Sequence, residues 1–368
     1  MSPTMTTAPV SDPRRAPTDY ALLKRRIRDA GLLDRQPRFY IRSVAIKLTL
    51  LAASLALFIP LRHLPWALCV NAFALALIFG QLGFQLHDAG HRQMFRQRWI
   101  NTVIGLVTGN LLLGMSYGWW VDKHNRHHAN PNNVSLDPDI GPGTISYSEE
   151  QALASRGLRR IVARYQAYLF FPLLFGLGWA MHVKSARFLA SGSARRRWLE
   201  IGLIGVHVAL YLGFFLLVLG PLWGPVAIVI TQCVGGFYLA SVFAPNHKGM
   251  EQVGPGVELD FLRSQVLTSR NVRGNVFTDI WYGALNHQIE HHLFPTMSRN
   301  CMSRAHGIVS DFCAERGVPF YETSMPRSYW EILVFLHGVG APVRGVAWAP
   351  APAAEDGAAK ASGAVEIL

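Results

Sequence analysis

Three histidine clusters set among apolar stretches constrain the fold of this 368-residue chain more than any other feature. They are His87-Asp88-Ala89-Gly90-His91, His124-Asn125-Arg126-His127-His128 and Gln288-Ile289-Glu290-His291-His292. The spacings are i, i+3 or i, i+4, so on a helix each cluster presents its imidazoles on one face. Seven of the 14 histidines fall in these boxes, a concentration that polar helix ends or scattered core histidines do not explain. Imidazole suits iron, zinc, copper and nickel, and a metal protein is expected.

Half of the residues are hydrophobic and only 16% are charged, below the usual fraction of about 25% in soluble domains. That composition points to a membrane. The net charge of +12 has no nucleic-acid recognition motif beside it, and basic residues flanking apolar spans account for it. Cys69, Cys233, Cys301 and Cys313 form no CxxC pair, which argues against a disulfide framework or a thiolate zinc site. A long polar stretch precedes the first apolar run, so no signal peptide is expected. Residues 1–17 and 341–368 read as disordered. The expected division is a cytoplasmic N-terminal segment (1–43), a membrane catalytic domain (44–320), a peripheral segment (321–340) and a tail (341–368).

Six apolar stretches occur, at 44–61, 64–86, 100–120, 168–183, 201–220 and 226–244. If the three boxes share one site, they lie on one side of the bilayer. Stretch 100–120 separates the first box from the second, and Gly105, Gly109, Gly114, Gly118, Asn101 and Asn110 interrupt it. It must therefore re-enter or lie along the membrane. Stretches 201–220 and 226–244 cross and return, which leaves the short, Pro172-bearing stretch 168–183 at the interface. The two connections on the far side hold Arg62 and no basic residue at all, respectively, whereas the N-terminal segment and the box-bearing loop are rich in arginine. By the positive-inside rule the boxes and both termini are cytoplasmic. The expected fold is an all-α integral membrane protein of the cell's inner or plasma membrane. Four transmembrane helices form two hairpins, joined by interfacial or re-entrant helices, and a cytoplasmic helical cap carries the metal site.

His87, His91, His124, His127, His128, His291 and His292 are too many ligands for one zinc. They suit two redox metals with open positions, and non-haem iron is the natural oxygen-activating choice. His247 follows the last apolar stretch and reads equally as a headgroup-level histidine or a ligand. Asp88 and Glu290 lie inside boxes, and Asp137 and Asp139 follow the second. These carboxylates are placed to receive the second N–H of ligating histidines, although Asp137-Pro138-Asp139 also reads as a turn. His63, His182, His207, His306 and His337 are isolated and read as satisfied or interfacial residues. His287 adjoins the third box but falls off its register.

The pattern HxxxH, HxxHH and QxxHH after paired apolar stretches resembles the membrane-bound fatty acid desaturases. The run Asn286-His287-Gln288-Ile289-Glu290-His291-His292-Leu293-Phe294-Pro295-Thr296-Met297 resembles the third box of front-end and related acyl desaturases, and Asn246-His247 matches a position where that family places a ligand. The resemblance covers about residues 44–320. It implies a centre of two non-haem irons that activates O2 and leaves a cis double bond in a fatty acyl chain, carried as acyl-CoA or acyl-lipid. It also implies His87, His91, His124, His127, His128, His247, His291 and His292 as ligands. Gln288 stands where other desaturases have histidine, as a weak ligand or a group behind the ligands, and Asn246 would hold a water on one iron. No HPGG haem motif of a fused cytochrome b5 domain occurs, so a separate donor such as a ferredoxin–reductase pair is expected. A tunnel for the acyl chain is expected under the boxes, with Trp119, Trp120, Phe237, Tyr238, Trp281 and Tyr282 either lining it or anchoring at the interface. The rival readings are a lipid hydroxylase, epoxygenase or ketolase with the same irons, a haem- or metal-binding electron carrier, and, with too many histidines for it, a zinc hydrolase.

Overall fold

The computed structural model describes residues 17–346; the expected disorder of residues 1–16 and 347–368 lies outside them. Helix α1 (Asp19–Asp29) is capped by the Thr18 hydroxyl, which accepts from the Ala21 amide at 3.2 Å. Helices α2 (Pro37–Leu61) and α3 (Pro65–Gly90) each begin with proline in the first turn, where its missing N–H costs nothing. They pair through Phe58, Leu68 and Leu75. Inside this apolar contact the Ser54 hydroxyl donates to Asn71 Oδ1 at 3.0 Å, and the Asn71 amide donates back to the Ser54 carbonyl at 2.9 Å.

The 51-residue segment α9 (Arg197–His247) is two antiparallel halves. Gly220 breaks it at φ 75°, a left-handed conformation that glycine adopts without penalty. Tyr211 and Thr231 would be about 30 Å apart on a straight helix, yet their hydroxyls meet at 2.5 Å. By length and composition three helices among the described residues qualify as membrane spans, Pro37–Leu61, Pro65–Gly90 and Arg197–His247, or up to five if each of two sharply bent pairs counts as one.

Those bent pairs are the stretches expected not to cross. Helix α4 (Arg98–Leu106) continues as a wider turn through Leu112, then bends by 115° into α5 (Tyr117–Ala129). After the short α6 (Glu149–Ala154), α7 (Leu158–Leu174) and α8 (Leu177–Ala190) are bent by 87°. Non-helical backbone at membrane depth survives only where the protein itself satisfies it. At the α4–α5 bend, buried Glu200 accepts at one carboxylate oxygen from the Ser116 hydroxyl (2.6 Å), the Gly118 amide (3.1 Å) and the Asn110 side chain (3.2 Å). His207 Nδ1–H donates to the Leu111 carbonyl at 3.0 Å, and His182 Nδ1–H donates to the Gly114 carbonyl at 3.1 Å. The two histidines that read as isolated in the sequence thus close the carbonyls of the bend.

A helical cap follows α9. It comprises α10 (Phe261–Leu267), α11 (Val276–Tyr282), α12 (Gln288–Leu293), α13 (Met302–Glu315), α14 (Met325–Val339) and α15 (Ala341–Arg344). Strands β1 (Asn271–Val272) and β2 (Glu322–Thr323) pair in parallel. One apolar core joins Leu262 and Val266 of α10, Ile289 and Leu293 of α12, Val309 and Phe312 of α13, and Leu23 and Ile27 of α1. Helix α1, from the expected N-terminal segment, is therefore part of the cap. Residues 321–340 lie against the membrane helices, where Gln166 of α7 donates to the Leu336 carbonyl at 3.1 Å and Tyr329 to the Ser241 carbonyl at 2.7 Å. The tail expected to be disordered from residue 341 starts as α15, with Ala341 buried.

Replacing Glu200 by alanine strands three buried donors, each costing about 1–3 kcal/mol. Glu200→Ala is expected to destabilise the protein by on the order of 3 kcal/mol and to loosen α5. Thermal unfolding in detergent measures the first effect, and metal content measures the second.

Candidate metal centre

Each box sits where a helix ends or turns. His87 lies in the last turn of α3 and His91 caps it. His124, His127 and His128 lie on α5, whose start is fixed by Ser116 accepting from the Trp119 amide at 3.0 Å. His247 ends α9, and His291 and His292 lie on the six-residue α12. Helices α3 and α5 approach closely because Gly90 has no side chain: a Cβ there would overlap the Trp120 ring.

The eight histidines form two adjoining groups. In the first, donor nitrogens of His87, His91, His124 and His291 all lie within 4.8 Å of one another. Nε2 of His87 is 3.1 Å from Nε2 of His291. His128 joins this group, its Nε2 lying 3.0 Å from His291 Nε2 and 3.1 Å from His124 Nε2. The second group is His127, His247 and His292, with Nε2 of His127 and His247 3.3 Å apart. Gln288 belongs to it, its side-chain amide nitrogen lying 2.9 Å from His247 Nε2. The rings of His128 and His292 stack at 4.1 Å where the groups meet.

These residues fit a pair of metal ions. Neighbouring imidazoles bound to one ion at about 2.0–2.1 Å hold their nitrogens roughly 2.9–3.4 Å apart, the range observed. Throughout the second group the outward nitrogen is engaged by protein. His127 Nδ1–H donates to Asp137 at 3.0 Å, His247 Nδ1–H to the Thr268 carbonyl at 3.0 Å, and His292 Nδ1–H to Gln265 Oε1 at 2.8 Å. Each bond selects the tautomer that turns the Nε2 lone pair inward. Nε2 of His91 and Nε2 of His292 are buried without a hydrogen-bond partner, as expected of atoms awaiting a metal.

The groups behind the ligands differ in their roles. Asp137 accepts from His127 and from the backbone amides of Asn132 and Asp139, both at 2.8 Å. Asp139 lies 3.7 Å from His127 Nδ1 and is paired with Lys123. Asp88 faces His87 Nδ1 at 3.4 Å and is bridged at 3.0 Å by Arg299, which follows the third box. Asn246 donates to Gln288 Oε1 at 2.9 Å, while its own Oδ1 is buried and unpartnered. Glu290 is not behind a ligand: it faces away, toward Asn271 and His306. Sequence reasoning missed Gln265, Thr268, Arg299 and Asn132. Of these only Asn132 carries a local signal, in the run Asn130-Pro131-Asn132-Asn133. It adopts φ 52° and donates to the His247 carbonyl at 2.9 Å.

A narrow apolar cavity of about 70 Å³ adjoins the first group. Its lining includes Leu86 and Trp120, next to His87 and His124, together with Gly80, Gly83, Gly235 and Gly236. Of the six aromatic residues considered for a tunnel, only Trp120 lines it. Tyr238 and Trp281 line a separate cavity of about 530 Å³ on the other side of α3, with Lys47 and Arg42. Trp119 packs on Leu86 and Met115, Phe237 stacks on Phe175, and Tyr282 packs on Phe84. The wall of the cavity beside the first group is mainly apolar side chains, among them Phe79, Leu112, Leu239 and Phe243, while Gly80 and Gly236 serve close packing: a Cβ would overlap the Tyr238 ring at the first and the Gly178 backbone at the second.

Burial, with the charges of neighbouring imidazoles, pushes His291 and His292 well below the usual 6.5, so both are neutral at pH 7, the form a metal ion requires. Burial raises the Asp137 carboxyl, but its hydrogen bond and charge pairing with His127 more than reverse this and hold it below the usual range. Unfolded histidine therefore binds protons more tightly than these folded ones. The stability they permit is full above about pH 6.5 and falls as pH drops below it, whereas Asp137 adds its loss only at lower pH. Metal content and melting temperature are expected to fall together between about pH 6.5 and 5.5, as measured by elemental analysis and thermal scans across that range. Asp137→Asn, which weakens the hold on the His127 tautomer, is expected to cost roughly 10–100-fold in metal affinity, as read by chelator competition.

A family profile described as fatty acid desaturase matches residues 63–324. The chain is 34% identical over 315 residues to an acyl-lipid (9-3)-desaturase of Physcomitrium patens, covering 82% of this chain and 58% of that protein. It is 29% identical over 346 residues to a Delta(8)-fatty-acid desaturase of Euglena gracilis, covering 91% and 81%. A Delta(6)-fatty-acid desaturase of Caenorhabditis elegans is 28% identical over 332 residues, covering 84% and 72%. The chain spans less than two thirds of the moss protein and more of the others. With a helical membrane scaffold, two converging imidazole groups and a family match over well over half its length, this chain is an enzyme of the fatty acid desaturase family.

Proposed function

We propose that the protein introduces a cis double bond into a fatty acyl chain, using two irons, O2 and electrons from a separate donor protein. The observation that carries this reading is two adjoining groups of inward-facing imidazoles beside an apolar cavity. His87, His91, His124, His128 and His291 would hold one iron, and His127, His247 and His292 the other, with Gln288 and Asn246 beside it. Bound there, iron supplies the oxygen activation and hydrogen abstraction that side chains lack. The chain's residues supply position and dryness. Leu112, Leu239 and Phe243 offer methylenes an apolar wall, and Leu86 and Trp120 lead toward the site. The Trp120 ring stacks on His124 at 4.4 Å and meets His87 edge-on at 5.5 Å, shielding both from water. The acyl carrier is acyl-lipid or acyl-CoA. The relatives named above are desaturases that differ in the position their names give, which supports an acyl substrate and leaves the carbon pair to product analysis.

The proposed topology has four crossings in two hairpins, α2 with α3 and the two halves of α9, with the centre and both termini on the cytoplasmic side of the inner or plasma membrane. The break at Gly220 and the two bent pairs support this arrangement. A basic cytoplasmic face suits an acidic electron carrier. Expressed with a compatible donor, the wild type is expected to yield a new unsaturated fatty acid by gas chromatography–mass spectrometry. His128→Ala and His291→Ala should yield none while inserting normally in the membrane. A hydroxylated, epoxidised or keto product would assign the same site to the rival reaction, and wild-type product from either variant would overturn the ligand assignment.

A further inference from the structure

The third box has a second set of donors behind it. His287 and Glu290 are three residues apart at the start of α12 and lie on a different face from the imidazole groups. With His306 of α13 they offer three donor atoms within 4.8 Å of one another. Glu290 is fully buried; one oxygen accepts from Asn271 Nδ2 at 2.8 Å, and the other lies 3.3 Å from His306 Nδ1. Asn271 Nδ2 also lies 3.3 Å from that nitrogen. The other ring nitrogen of His306, Nε2, faces Glu322 of β2 at 3.4 Å. His287 is only 6% exposed, and neither of its ring nitrogens has a hydrogen-bond partner; the Asp279 carboxylate is 3.7 Å from its Nε2.

Hydrogen bonding and charge pairing leave this cluster incomplete. A neutral imidazole always carries one N–H, so His287 buries a donor without an acceptor. Three carboxylates, Glu290, Glu322 and Asp279, converge on two imidazoles. The nearby guanidinium of Arg273 is largely exposed and reaches only Glu322, at 3.7 Å. A divalent cation resolves both deficits at once.

We propose that His287, Glu290 and His306 form a third metal site, separate from the two imidazole groups, and that it binds zinc. Two histidines and one glutamate are an established zinc donor set that leaves a fourth position open, and Asp279 flanks that position. Glu322 accepts from His306 Nε2–H, so His306 Nδ1 faces the ion in the carboxylate–histidine–metal arrangement. The ion joins α12, α13 and the loop before α12. It thereby fixes the backbone of the third box from the side opposite the imidazole groups.

The test is the metal content of the purified, iron-loaded protein after equilibration with zinc and removal of free ion. The wild type is expected to hold about one zinc per chain beyond its iron, with a zinc K-edge spectrum of mixed nitrogen and oxygen ligation. His306→Gln, which keeps a side-chain hydrogen bond but ligates poorly, should lose that zinc by roughly tenfold or more while retaining iron. His306→Cys, which restores a zinc ligand, should regain it. No added zinc in the wild type, or zinc retained unchanged by His306→Gln, overturns the proposal. Zinc lost by His306→Gln and not regained by His306→Cys also counts against it, because the half-buried residue would then act by packing alone.

Discussion

Backbone that leaves a helix inside an apolar layer must find its hydrogen-bond partners within the protein, and the architecture depends on how the bend between α4 and α5 does so. One Glu200 carboxylate oxygen collects the Ser116 hydroxyl, the Gly118 amide and the Asn110 side chain, while His182 and His207 take the carbonyls of Gly114 and Leu111. These contacts fix where α5 starts and which way it points. Three box histidines ride on α5, so the second box is aimed by residues that stand apart from the two imidazole groups.

The second requirement is that many imidazoles be buried together without charge. Proteins bury polar side chains only when their atoms are partnered. In the group of His127, His247 and His292 the Nδ1 atoms are tied to Asp137, the Thr268 carbonyl and Gln265, and the Nε2 atoms are turned toward one another. Clustered histidines of this kind repel on protonation, and the apolar cap over α10, α12 and α13 keeps water from relieving that repulsion. The scaffold thus favours the metal by making every other state of the cluster costly.

The three boxes and the apolar stretches were legible in the sequence because histidine spacing and hydrophobic length are local signals. Requiring the boxes to meet turned stretch 100–120 back on itself, and it bends by 115°. Other partners were not legible. Gln265, Thr268 and Arg299 lie in unremarkable surroundings in the sequence and reach the ligands only through tertiary packing. Glu290 misled for a related reason: a helix of six residues has more than one face, and sequence adjacency to His291 does not reveal which face a neighbour takes. The aromatic residues were legible only as lining or anchoring: Trp120 lines the cavity beside His87, Tyr238 and Trp281 line the other cavity, and Trp119, Phe237 and Tyr282 pack in apolar clusters.

Seven of the eight candidate ligand histidines lie at or near the end of a helix or on a helix of six residues: His87 and His91 finish α3, His247 finishes α9, His127 and His128 lie in the last turn of α5, and α12 holds His291 and His292, while His124 sits one turn further into α5. Terminal turns fray first, because their last carbonyls lack helical partners. Ions bridging these ends would act as a clasp on the weakest turns of four helices at once. Removal of the metal would then release a single cooperative unit at the rim of the helical hairpins, with the hairpins themselves still intact. Amide hydrogen exchange would see that rim open as one body, on a clock separate from that of the spans.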